Sequence, residues 1–196
     1  MPKIILFNGP PRSGKDTATF IACASVHNAV HYRFASPLKR AVHELFGLKD
    51  VPEEMFNKRK SDHQDLMHGM TPREAYIWMS EEVAKPKFGQ DFFARSAVTA
   101  ITKICQEKGS DVVIISDCGF QIEVDHLVDS FGEDNLSVVR LMRNDRTFEN
   151  DSRGYVEHPV PYHNYIVMNN GTMKQFKDSV IKVVGDILCN QGKAHG

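Results

Sequence analysis

The chain has 196 residues, 41% hydrophobic and 25% charged, an ordinary globular composition at a length that supports one domain with its own core. A formal net charge of −1 and a pI near 6.7 exclude a broad basic face for long runs of nucleic-acid phosphates, and leave only a local basic groove open. No run approaches the roughly 18 apolar residues of a membrane span, and the N-terminus enters an apolar run at once, so a cytoplasmic protein without a membrane partner is expected, in the host cytoplasm if the chain is viral. Cys23, Cys105, Cys118 and Cys189 are scattered without a CxxC pair, and the nine histidines show no ligand spacing, which predicts reduced thiols and no zinc site.

The first apolar run, Ile4 to Phe7, predicts a buried strand. Directly after it comes Gly9-Pro10-Pro11-Arg12-Ser13-Gly14-Lys15-Asp16-Thr17, a GxxxxGK loop that opens a helical stretch. Glycines at these positions let backbone N–H groups turn toward phosphate oxygens, the helix N-terminus adds partial positive charge, and Lys15 reaches the β- and γ-phosphates of a nucleotide. The loop departs from the usual pattern in having Asp16 where a hydroxyl residue is expected, with Thr17 next. Either Thr17 takes the hydroxyl role toward Mg²⁺, or Asp16 meets the ion through water, or Asp16 stabilises the first helical turn through the macrodipole. Arg12 either touches phosphate or braces the loop.

Val30 to Phe34 predicts a second strand, and residues 47–70 form a polar stretch rich in turn formers. Thr71-Pro72-Arg73-Glu74 has capping-box spacing with a first-turn proline, and Phe93, Ala97, Ala100, Ile101 and Ile104 fall on one helical face. Val112 to Ile115 predicts a third strand, ending in Ser116-Asp117. An acidic residue at the carboxyl end of such a strand suits either an outer contact to a metal or a general base toward an acceptor, while the N-cap of a helix starting near Gln121 is the structural alternative. Glu123, one turn into that helix, is a candidate acceptor contact.

Val138 to Met142 predicts a fourth strand; Arg140, Arg143, Arg146 and Arg153 come in a stretch with Asp145, Glu149 and Asp151, and residues 143–164 form a second polar segment. Phosphoryl transfer needs positive charge on the equatorial oxygens of its transition state, and Arg143 and Arg153 are the candidates to supply it. Tyr165 to Met168 is the fifth strand. Thr172 to Gln175 repeats the capping spacing ahead of a helix on which Met173, Phe176, Val180, Val183, Val184 and Ile187 fall on one face. Strands alternating with helices predict a doubly wound, mostly parallel five-stranded α/β sheet over residues 1–196, in one domain with an acceptor-binding insertion at about 47–90 and a lid at about 143–164.

Several blocks together carry a resemblance. They are Gly9-x-x-Arg12-Ser13-Gly14-Lys15-Asp16-Thr17, Phe34-Ala35-Ser36-Pro37-Leu38-Lys39, Thr71-Pro72-Arg73-Glu74-Ala75 with Trp78, Ile115-Ser116-Asp117 through Phe120 to Glu123, and Asn169-Asn170-Gly171-Thr172. In this order, and over nearly the whole chain, they resemble the bacteriophage-type deoxynucleoside monophosphate kinases, within the nucleoside monophosphate kinase-like P-loop proteins. The resemblance implies Mg²⁺-dependent transfer of the γ-phosphoryl group of ATP to the 5′-phosphate of a small deoxynucleotide. Lys39 and Arg73 would stand near the acceptor, joined by Trp78, Phe120 and Glu123, and the segment from Arg143 to Arg153 would act as lid. One departure concerns the block after the third strand, S-D-x-R-F-x-x-E in the family, where this chain has Gly119 in place of the arginine.

Gly119 leaves a related reading open, a kinase acting on a hydroxymethylated pyrimidine, such as 5-hydroxymethyluracil, within DNA. A nucleotide-dependent switch or ATPase motor is a reading from another class, which the lack of a complete NKxD at Asn57-Lys58-Arg59-Lys60 opposes. Retention of Lys15, Asp16, Thr17 and Asp117 together opposes a non-catalytic nucleotide-binding module.

Overall fold

The computed structural model describes residues 1–58, 62 and 65–190, and each of the five apolar runs forms a strand in it. Residues 59–61, 63 and 64 of the expected insertion, with Arg59-Lys60 of the NKxD comparison, lie outside the described residues. The strands are β1 Lys3–Asn8, β2 Val30–Tyr32, β3 Val112–Ile115, β4 Leu136–Met142 and β5 Asn164–Met168. They form one sheet in the order β2-β3-β1-β4-β5, with every neighbouring pair parallel. β1 lies at the centre, flanked by β3 and β4. The chain leaves β1 for β2 on one side and later passes to β4 and β5 on the other, which opens a crevice at the carboxyl end of β1.

Two compact units make up the chain: Met1–Arg33 with the chain from Ala94 on, and Phe34–Phe93. In the first unit, helices α1 (Lys15–Ser25) and α8 (Met173–Asn190) cover one face of the sheet. Alternation along the strands selects what they bury: Ile5 and Phe7 of β1 pack with Ile114, Val139, Leu141 and Val167, against Ala18, Ile21 and Ala22 of α1 and Phe176, Val180, Val184 and Ile187 of α8. Helix α7 (Gln121–Phe131) belongs to the opposite face and buries Val124, Leu127 and Phe131 at helical spacing. Helix α6 (Phe92–Lys108) buries Ala94, Ala97 and Ile101, a stripe of the same period.

The second unit has a small core of its own. Helix α2 (Ala35–Leu45) contributes Val42, which joins Leu48, Phe56 of α3 (Glu53–Lys58), Met67 and Ala75 of α4 (Pro72–Ile77). Beside this core the His43 Nε2 and the hydroxyl of the partly buried Tyr76 meet at 2.8 Å, giving each a polar partner. Thr71 and Glu74 form the expected reciprocal cap at 3.1 and 2.8 Å. A widened π-type turn over Trp78–Ala84 then leads into α5 (Lys85–Phe88).

One local expectation is corrected and one structural alternative is set aside. β2 ends at Tyr32 instead of reaching Phe34, because Phe34 already has helical torsions and Pro37 falls in the first turn of α2, where its missing N–H has no helical partner to lose. Asp117 does not cap α7. Phe120 is the N-cap residue, and the Glu123 carboxylate takes the Phe120 N–H at 3.2 Å.

Candidate functional site

The loop between β1 and α1 is shaped by close packing at its two glycines. A Cβ on Gly9 would stand 2.6 Å from the Leu141 carbonyl oxygen of β4, so only glycine lets the loop leave β1 this close to its neighbour. Gly14 has φ +104°, in the left-handed region that L side chains rarely adopt, and a Cβ there would meet Asn169 Nδ2 at 2.6 Å. That same Asn169 Nδ2 donates to the Ser13 carbonyl at 2.9 Å, tying the loop after β5 to the loop after β1. Arg12, at the tip, has φ +63°, a strained conformation for a non-glycine residue.

Lys15 opens α1 and donates from Nζ to the carbonyls of Gly9 at 2.6 Å and Pro10 at 2.7 Å. Burial, followed by the positive charge of Arg153, lowers its pKa from 10.5 to about 8, against the opposing pull of Asp16, Asp151 and Asp117. A desolvated ammonium among like charge gains when an anion arrives. Ser13 Oγ, in the same loop, is buried with no hydrogen-bond partner among the described residues, a second polar group suited to an incoming oxygen.

A cavity of about 690 Å³ lies against this loop, within the range that holds small-molecule ligands. Arg12, Gly14, Lys15, Asp16 and Thr17 form one wall, while Arg143, Asn144 and Asp145 after β4 and Asn169, Asn170 and Gly171 after β5 complete it. The Arg143 Nε stands 3.3 Å from Asp145. The two strand-end loops are joined by paired amides: the Asn144 backbone N–H donates to Asn170 Oδ1 at 2.9 Å, and Asn170 Nδ2 donates to Asn144 Oδ1 at 2.8 Å.

Asp117, Glu123 and Arg153 are absent from that wall and lie at the end of β3, where Lys15 still feels the charges of Asp117 and Arg153. Glu123 is 7% exposed and accepts N–H groups of Gly119 and Phe120 at 3.0 and 3.2 Å. Burial raises its pKa from 4.5 to about 7 with help from Asp117, while the two amides and the Cys118 thiol act the other way. Phe120 is partly exposed. Lys39, Arg73 and Trp78 belong to the Phe34–Phe93 unit: Lys39 lies on α2 with Nζ 5.7 Å from the Tyr76 ring, Arg73 is exposed on α4, and Trp78 opens the π-type turn.

Residues that sequence reasoning passed over hold this end of the sheet together. Asn8, fully buried at the end of β1, donates to the carbonyls of Cys118 and Gly154, both at 3.0 Å, and accepts the Val156 N–H at 3.2 Å. Its signal was a polar residue closing an apolar strand directly before the loop. Gln121 and the Glu157 backbone exchange two hydrogen bonds at 2.8 and 3.0 Å, and Arg140 pairs with the Glu157 carboxylate at 2.9 Å. The second half of the segment expected as a lid is therefore stapled to the sheet.

For a divalent cation, no group of three metal-binding side chains occurs among the described residues. Asp16, whose side chain is 86% exposed and 3.5 Å from Arg33, stands with Thr17 at the cavity wall. This donor set fits an ion such as Mg²⁺, which takes most of its ligands from phosphates and water, and not a cation caged by protein.

No family model matches the chain. A protein of Acanthamoeba polyphaga mimivirus named "Putative deoxynucleotide monophosphate kinase" is 23% identical over 184 residues, covering 90% of this chain and 93% of its own. An unliganded sugar kinase from Janibacter sp. is similar with a TM-score of 0.47 and 11% identity, over 97% of this chain and 98% of its own.

Proposed function

We propose that the protein is a cytoplasmic, ATP-dependent phosphotransferase that converts a deoxynucleoside monophosphate to the diphosphate. The observation that carries this reading is Lys15, a desolvated ammonium at the wall of a cavity of about 690 Å³ built from the GxxxxGK loop and two neighbouring strand ends. The viral relative, whose name is that of a deoxynucleotide monophosphate kinase and which matches nearly end to end, supports the choice of acceptor.

In this reading the triphosphate lies along Gly9, Arg12, Ser13, Gly14 and Lys15 at the N-terminus of α1. Mg²⁺, when bound, neutralises charge on the β- and γ-phosphates, and Asp16, Thr17 and Asp117 are the residues that would hold it. A 5′-phosphate oxygen of the acceptor forms the new bond to the γ-phosphorus as the bond to the β–γ bridging oxygen breaks, so ADP leaves and a deoxynucleoside diphosphate forms. Lys15 and Arg143 stabilise charge on the transferring group and Arg153 stands on the acceptor side. Asp117 orients the acceptor. The family resemblance assigns Lys39 and Arg73 to the acceptor phosphate, Trp78 to its nucleoside and the exposed Phe120 to its base.

One observation favours the second reading, a hydroxymethylated pyrimidine within DNA. A hydroxyl acceptor needs a base to take its proton, and Glu123, with a pKa near 7 beside Asp117, has the right protonation behaviour. Its near-complete burial and its two backbone amides weigh on the side of a helix cap. Incubation with labelled ATP, Mg²⁺, a panel of deoxynucleoside monophosphates and duplex DNA with and without hydroxymethylated pyrimidines separates the two. Label is expected on a mononucleotide; label in hydroxymethylated DNA alone would transfer the assignment to the second reading.

A further inference from the structure

The absence of a side chain at position 119 has a local cause. A Cβ on Gly119 would fall 2.5, 2.6 and 2.7 Å from Cγ, Cδ and Cβ of Arg153, so the stem of that arginine lies directly across the glycine. The Gly154 N–H donates to the Gly119 carbonyl at 3.0 Å, fixing the two backbones side by side. Asn8 holds Cys118 and Gly154 from below, and Gln121 holds Glu157, so residues 153–157 are anchored on both flanks. The guanidinium end is set independently. Asp151, with its side chain 11% exposed, accepts from Nε at 2.8 Å and from Nη2 at 2.6 Å, a two-point clamp that fixes the plane of the group.

Arg153 thus differs from Arg143, which pairs with an exposed Asp145 in the cavity wall. Arg153 stands outside that wall, against Gly119, whose N–H the Glu123 carboxylate accepts, and its charge acts on Lys15, Asp117 and Glu123. A guanidinium held there keeps a forked set of donors, with Nη1 outside the Asp151 pair, and suits a phosphate oxygen. We propose that Gly119 is a receptor for the Arg153 stem and that the guanidinium so placed is a preset cation for the acceptor's phosphate, with Gly119 and Asp151 as its positioning residues. This rests on the mononucleotide reading above.

The matched arrangement is tested by a double-mutant cycle with separate KM values for the two substrates. Arg153→Ala is expected to raise the acceptor KM roughly tenfold or more, with the ATP KM changed less than about twofold. Gly119→Ala pushes the stem aside and is expected to move the acceptor KM in the same direction. Combined with Arg153→Ala, it adds nothing, because the residue it displaces is gone. Asp151→Asn follows the same rule. Additive losses in the double variants, or a rise in the ATP KM as large as that for the acceptor, would overturn the pairing. Should Gly119→Ala fail to fold, Arg153→Ala still decides, since it leaves glycine in place and removes only an arginine: an unchanged acceptor KM sinks the proposal alone. Wild-type protein that phosphorylates no mononucleotide removes the mononucleotide reading, and this inference with it.

Discussion

Replacing Glu123 with glutamine tests the electrostatics of the β3 end without touching the phosphate loop. The carboxyl group is 7% exposed, and burial raises its pKa from 4.5 to about 7. A carboxyl whose pKa is raised on folding binds a proton in the folded chain that the unfolded chain releases, so stability falls as pH rises between about 4.5 and 7 and is level above that window. A displacement of this size, at ~1.4 kcal/mol per pH unit, corresponds to about 3 kcal/mol. Glutamine keeps an oxygen for the Gly119 and Phe120 amides and cannot ionise. Glu123→Gln should therefore lie within about 1 kcal/mol of wild type at pH 5 and exceed it by about 2–3 kcal/mol at pH 8. Urea unfolding at pH 5, 6, 7 and 8 reads this directly, and taking the difference between the two proteins cancels the histidines common to both. A difference that stays flat across the series, or that favours wild type as pH rises, would refute a desolvated carboxyl at this position.

Three further outcomes follow from the loop. Lys15→Ala should remain folded, with a melting temperature no lower than wild type because a desolvated ammonium has been removed, and should transfer phosphate at well under about a tenth of the wild-type rate. ATP binding at pH 8 should take up protons, since the triphosphate restores a Lys15 pKa lowered to about 8; calorimetry in two buffers of different ionisation enthalpy measures the uptake, and its loss in Lys15→Ala assigns it. Arg143→Ala should lower turnover more than ATP affinity if its contact strengthens in the transition state, and steady-state kinetics beside equilibrium ATP binding separates the two effects.

The parts of this protein legible in its sequence are those fixed locally. A strand buried on both faces of a parallel sheet must be apolar along its length, which is why Ile4 to Phe7 and Val112 to Ile115 announced themselves. Likewise the loop from Gly9 to Thr17 and the caps at Thr71 and Thr172 are written in adjacent residues, and the Thr172 and Gln175 bonds form as the spacing implied. Contacts across long stretches of chain left no such mark. Asn8 meets Cys118 and Gly154 from 110 and 146 residues away, and Asn169 reaches Ser13 across 156. Arg153 was visible as one arginine in a mixed-charge segment. Its fixed stem over Gly119 was not, because the glycine and the arginine gain meaning only when β1, β3 and β4 place their ends side by side. Arg143 and Arg153, neighbours in one polar segment of the chain, part in the fold: Arg143 lines the cavity and Arg153 does not.

The destination of the γ-phosphoryl group is measured most directly as ADP formation from Mg²⁺-ATP with and without each deoxynucleoside monophosphate, on wild type and Lys15→Ala together. Phosphotransfer to the acceptor predicts slow ADP formation alone, a large increase with at least one mononucleotide, an equal amount of deoxynucleoside diphosphate, and loss of both products in the variant. ADP formation that is the same with every acceptor and without any would identify an ATPase and contradict the assignment.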